Sequence, residues 1–200
     1  MKAQSLFKIV KILRVSVCIL GYASGPTFDK GGSGSNFLCL PEHPQYRNFI
    51  GGFQRLAGEI SGIEYELWDG YRSNFFSAAN AGGRPLHQHP APCALCYVEA
   101  RSTIAMIPAR THCPSGWTPE YAGYLVSETS VADRKRSSYV CWDGEPEIGV
   151  GGTNQNNAVI YPVQVRCGSL PCSVYPTGRE LSCIVCSKWC SQTQWRFHRY

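Results

Sequence analysis

Charge is scarce in this chain. Only 16% of its 200 residues are Asp, Glu, Lys or Arg, against 44% hydrophobic and 12% aromatic residues. That balance excludes global disorder, because there is ample apolar surface to bury. Scarce charge, with 20 glycines and 13 prolines, also argues for short strands joined by tight turns rather than for helices. The formal net charge is +5, and much of the excess sits near the ends, at Lys2, Lys8, Lys11, Arg14, Arg196 and Arg199. The body is close to neutral, so nucleic-acid binding lacks its electrostatic footing. No apolar run supports a membrane span. None of the histidines (His43, His87, His89, His112, His198) stands with a nucleophile and an orienting group, so no catalytic residue, cofactor or enzymatic activity is expected.

Cysteine is the opposite case. Eleven are present, a density that points to an oxidising compartment and a disulfide framework. The framework is expected to use Cys93, Cys96, Cys113, Cys141, Cys167, Cys172, Cys183 and Cys186. The pairs CALC (Cys93–Cys96) and CIVC (Cys183–Cys186) could supply four thiolates to zinc, but they lie far apart among seven other cysteines. Both lie inside apolar, strand-like runs rather than at the start of a helix, which disfavours a redox site. No metal is expected.

A repeat organises the chain. Gly21–Cys39 and Gly123–Cys141 are both nineteen residues long, open on Gly-Tyr, and close on an aromatic-aliphatic pair followed by Cys. Pro44 and Pro146 then fall at the same offset, and CALC matches CIVC. The fold class read from this is all-β, disulfide-stapled, with two pseudo-repeated β-modules of short antiparallel strands. Residues 1–20 read as a signal-like or mis-joined segment with a cut site after Ala23. Residues 21–110 read as a first, incomplete module, 111–188 as a second, and 189–200 as a tail. Cys113 and Cys141 bracket one hairpin-like unit and are expected to bond to each other. Lys11 occupies the repeat position of Cys113, which leaves Cys39 without its natural partner. Trp68 to Pro92, polar and turn-rich, reads as the most exposed segment, and Pro162 as an edge or a bend.

Candidate ligand groups are few. His87-Gln88-His89 places two imidazoles on one face if extended, and Glu64, Glu66 and Asp69 are carboxylates without a calcium-loop signature. Arg134-Lys135-Arg136 reads as a solvated turn able to meet an acidic polysaccharide or partner. Trp68, Trp117 and Trp142, with Asn154 to Asn157, could form a sugar-binding surface.

Several phrases carry a resemblance: GSNFLCLPEHPQY, GIEYE, PCALCYV, MIPARTHCPSGWTPEYAGYLVS, YVCWDGEPE and AVIYPVQVRCGSLPCSVYPTGRELSCIVCSK. Together they resemble the carboxy-terminal domain of invertebrate short-chain, spongin-type collagens, distantly like the non-collagenous domain of type IV collagen. The resemblance covers Gly21 to Lys188. It implies a secreted, non-catalytic protein of the extracellular matrix, partnered by matrix proteins or by itself as a trimer, with no nucleic acid and no membrane span. Three departures stand against it: no collagenous triplets, no CP-G opening in the first copy, and a dissimilar tail after Lys188. The rival expectation is a soluble extracellular module that binds glycans.

Overall fold

The structure is a computed structural model that describes residues 17–48, 50–67, 75–97, 101–131 and 133–189. Trp68, Asp69 and residues 1–16 and 190–200, Cys190 and His198 among them, lie outside the described residues. Nine strands make up the described fold: β1 (Val17–Gly25), β2 (Leu38–Pro41), β3 (Ser61–Tyr65), β4 (Pro92–Tyr97), β5 (Arg101–Pro108), β6 (Thr118–Ser127), β7 (Val140–Asp143), β8 (Ala158–Pro162) and β9 (Ser182–Trp189). One 3-10 turn, Ala79–Ala81, is the only helical element among them, and no helix there is long and apolar enough to cross a membrane. All-β is therefore the observed class.

The repeat is present in the strand pairing. In the first module β1 is central, with β2 on one edge and β4 then β3 along the other; in the second, β6 is central, flanked by β7 and by β9 then β8. Gly21 faces Pro41 and Cys93, just as Gly123 faces Asp143 and Cys183. Matching backbone bonds extend beyond the ladders. Ala23 N–H donates to Ala91 O and Leu125 N–H to Leu181 O; Tyr65 N–H donates to His89 O and Val165 N–H to Arg179 O. Within each module the strands are antiparallel, and a parallel pairing of β3 with β8 joins the two.

The shared Gly-Tyr has a steric cause. A Cβ at Gly21 would drive into the carbonyl oxygen of Leu40, and one at Gly123 into that of Trp142. Only glycine lets the neighbouring strand approach so closely.

The disulfides follow the repeat and correct the expected pairing. Cys39 bonds to Cys93 and Cys141 to Cys183, so the residue closing the nineteen-residue block meets the first cysteine of CxxC in both copies. Cys113 is bonded to Cys186, not to Cys141. The reason is topological. β5 ends opposite Cys183 while β6 begins opposite Ser187, so the link between them runs back along β9 and carries Cys113 past Cys186. Cys39 has a full partner, and Cys18, lying directly opposite Cys96 in the β1–β4 ladder, performs the role for which Lys11 was expected to leave a gap. The first module is thus not short of staples. A boundary at residue 20 would fall inside β1, and cleavage after Ala23 would remove most of that central strand. At the β6 position matching Cys18 stands Glu120, where Arg101 Nη1 donates to Ser187 Oγ at 2.6 Å and the Ser187 hydroxyl donates to the Glu120 carboxylate. Cys167–Cys172 closes a surface loop. The segment expected to be exposed instead buries Phe76, Ala81, Leu86 and Ala91. Pro162 ends β8, which is an interior strand between β3 and β6.

Gly21→Ala and Gly123→Ala should each cost about 2 kcal/mol or more through overpacking. Gly62→Ala, where a Cβ meets nothing within 4 Å, should be neutral; thermal unfolding of the three variants checks this. Replacing Cys141 and Cys183 together should cost about 4 kcal/mol, and replacing Cys167 and Cys172 about 2 kcal/mol, because the loops they close differ so much in length. Denaturant unfolding that ranks the second pair above the first would contradict the chain-entropy account.

Candidate functional site: the module junction and the groove beside it

The junction is built from residues 65–67 and 75–90 of the first module and the outer face of the β6–β7 hairpin. Tyr65 is fully buried; its hydroxyl donates to Glu147 O at 2.7 Å, and its ring meets Trp142 edge-to-face at 5.9 Å. Burial pushes the Tyr65 phenol far above its usual pKa, so it remains a donor at any physiological pH. Phe75 and Phe76 stand edge-on to Tyr124, at 5.1 and 5.5 Å. The loop after β7 then folds back onto the first module. Pro146 is buried, Gly149 N–H donates to Pro90 O at 2.8 Å, and Asn154 N–H donates to Gln88 O at 3.0 Å. Glu64, 3% exposed, accepts from the amides of Gln155 and Asn156 at 2.9–3.0 Å. Those amides converge because Asn154 and Asn156 adopt positive φ, 54° and 51°, which asparagine tolerates. A buried carboxylate is thereby satisfied by backbone alone.

This geometry redistributes the expected ligand surface. Trp142 is 3% exposed and belongs to the junction, and the asparagine loop is committed to Glu64. Trp117 is half-buried, with the Lys188 ammonium 5.8 Å from its ring. A tryptophan sugar platform through Trp142 is therefore not formed. Nor is the basic turn simply solvated. The Arg134 guanidinium stacks 4.0 Å over Phe28, and Lys135 Nζ donates to the carbonyls of Gly31 and Ser33 at 3.1 Å each. Only Arg136 of the three turns away from the first module, into a groove.

His87 and His89 do not share a strand face, because Gln88 between them turns the chain at φ 59°. His87 Nδ1 accepts the Leu67 N–H at 3.2 Å. Its 3.9 Å approach to Glu66 Oε1 is thus not an ion pair through that nitrogen, which bears no proton in this arrangement. Among the described residues no three His, Cys, Asp or Glu side chains gather as a metal site.

The groove lies between the end of β6, the connection to β7 and the end of β8. Its volume is about 680 Å³, and its lining includes Glu128, Arg136, Tyr139, Tyr161 and Gln164. Glu128 N–H donates to Ser137 Oγ at 2.8 Å, and Glu128 Oε1 accepts from Thr129 N–H at 2.9 Å. Desolvation raises the Glu128 pKa above its usual value, against the lowering effects of that amide and of Arg134. Sequence reasoning missed Glu128, Tyr139 and Tyr161. Laying the two copies side by side would have found the first, since Glu128 stands where the first copy has Pro26.

No protein-family model matches the chain, and no solved structure matches it.

The raised Glu128 pKa has a signed consequence. The folded state holds this proton more tightly than the unfolded chain does, so ionisation costs stability as pH rises through the raised pKa, and nothing is lost well below it. Glu128→Gln keeps the acceptor for Thr129 and removes the charge. It should be more stable than the parent at about pH 7, with the difference vanishing near or below about pH 4, where the unfolded carboxyl is itself protonated. Thermal midpoints at the two pH values check this; a less stable variant at neutral pH would count against a desolvated carboxylate.

Proposed function

We propose that the chain is a secreted, non-catalytic structural module of the extracellular matrix, of the short-chain collagen carboxy-terminal type, which assembles with copies of itself. One observation carries the reading: the junction between the modules uses only half of what the duplicated chain offers. Tyr124, Val140 and Trp142 are covered by the first module, whereas their counterparts Tyr22, Leu38 and Leu40, beside Leu20, are 37–49% exposed. The loop that follows repeats the contrast. Pro146 is buried and Ile148 half-buried, while the first module's corresponding loop exposes Tyr46, Ile50, Phe53 and Leu56 by 78–90%. At the other end, the second module's counterpart of the covering segment displays Leu170 and Val174, 45% and 67% exposed.

An apolar surface of that extent, contiguous on one hairpin, marks an interaction site. Its twin is buried by the same chain's own repeat, which supports another copy as the partner. Such a contact joins unlike surfaces, head to tail, and closes into a ring where the rotation allows; a trimer is the ring that the collagen resemblance implies. Five disulfides accord with an oxidising, extracellular setting.

Light scattering on the purified, oxidised chain should give a trimer mass. Leu40→Arg and Tyr22→Glu, both on the exposed face, should give a monomer with the five disulfides intact by non-reducing peptide mapping. A wild-type chain that stays monomeric up to about 1 mM, the weakest affinity worth calling assembly, would overturn the reading.

A further inference from the structure

The duplication also isolates a second surface feature. In the first module a concavity of about 600 Å³ opens at the end of β1, its lining including Gly25, Pro26, Gly34, Ser35, Asn36 and Glu59. The groove of about 680 Å³ at the end of β6 is its counterpart, with Ser127, Glu128 and Arg136 in place of Gly25, Pro26 and Gly34, and Ser137 matching Ser35. The shared frame therefore carries Gly25, Pro26 and Gly34 in one copy and Ser127, Glu128 and Arg136 at the equivalent positions in the other.

We propose that the second-module groove binds a neutral saccharide, with Tyr139 carrying the sugar ring and Glu128 and Arg136 fixing its hydroxyls. Arg136 and Tyr139 are exposed and have no polar partner among the described residues, whereas the neighbouring Arg134 and Lys135 are engaged by the first module. Tyr139 is 64% exposed, which leaves its ring open to the C–H face of a sugar. Glu128 uses Oε1 on the Thr129 amide and retains acceptor capacity at the other oxygen. The charges decide the ligand class. A phosphate or sulfate drawn to Arg136 would be opposed by Glu128, and a cation drawn to Glu128 would be opposed by Arg136. A polyhydroxylated, uncharged ligand takes an acceptor bond from one and a donor bond from the other. The volume suits a mono- or disaccharide, since small-ligand sites run from about 300 to 1,000 Å³.

The groove is independent of self-assembly. The first-module concavity stays open although that module's β3, Phe75 and Phe76 are already docked in the junction. By equivalence the second-module groove stays open when the other end of the chain docks.

The test is binding of the full oxidised chain to a printed array of neutral and uronate-bearing oligosaccharides, followed by calorimetric titration of the best neutral hit. Arg136→Ala and Tyr139→Ala should each weaken binding about tenfold or more, the loss expected for a hydrogen bond to a charged group or for a stacked ring. Their thermal midpoints should match the parent, because both side chains are exposed. Asn36→Ala in the first-module concavity should bind as the parent does, and so should the monomeric Leu40→Arg variant. A chain that binds no neutral array sugar, that prefers uronates, or that binds equally well after both groove substitutions overturns the proposal, whatever its oligomeric state.

Discussion

Each module depends on a disulfide that closes over its central strand. Neighbouring strands are spaced about 4.8 Å apart, so strands on opposite edges of a flat sheet would lie nearly twice that far from each other. Cys39 on β2 and Cys93 on β4 flank β1, yet their Cα atoms are 5.7 Å apart; Cys141 and Cys183 flank β6 at 5.6 Å. The sheet must therefore curl sharply around β1 and β6. The bend occurs at Gly21 and Gly123, where a side chain would strike the carbonyl of the incoming strand. Glycine and cystine are two halves of one device. The glycine permits the curl, and the covalent bond keeps it closed in a module of about ninety residues, a size at which a hydrophobic core alone supports little stability.

Curling has a price on the other side of the hairpin. The inner face of β1–β2 is filled by Ala23, Cys39 and Cys93, but the outer face turns away from the module's own core. In the second module that outer face carries Tyr124 and Trp142, and the first module supplies Phe75, Phe76 and Tyr65 to cover it. Burying each such ring is worth roughly 1.5–3 kcal/mol relative to water. One chain can satisfy only one of its two equivalent faces in this way. The leftover apolar residues, Leu20, Tyr22, Leu38 and Leu40, are thus a consequence of having two copies in one chain rather than scattered surface hydrophobics.

What could be read in advance follows the same physics. The Gly-Tyr…Cys blocks and the CxxC pairs were legible because curl and staple fix those residue types wherever the module occurs. The pairing of the cysteines was not, because nearness in sequence suggested Cys113 with Cys141 while the crossover from β5 to β6 carries Cys113 to Cys186. Trp142 looked available because it alternates with Cys141, which occupies the module interior. Alternation reports two faces but not whether both are covered, and here a neighbouring module covers the second. The Arg134-Lys135-Arg136 turn was legible as a turn. That two of its cations would be taken up by Phe28 and the Gly31–Ser33 carbonyls depends on a contact a hundred residues away in sequence.

The two copies differ where the backbone leaves them free to differ. Residues that fix the curl or the ladder are the same or play the same part: Gly21 and Gly123, Cys39 and Cys141, the amides of Tyr65 and Val165. At the ends of β1 and β6 the residues differ: the first copy has Gly25 and Pro26, and the second has Ser127 and Glu128. Desolvation raises the Glu128 pKa, whereas the equivalent position of the first copy holds Pro26. On the proposed readings, the uncovered hairpin face would serve association and the groove would serve recognition, two uses built on one duplicated frame.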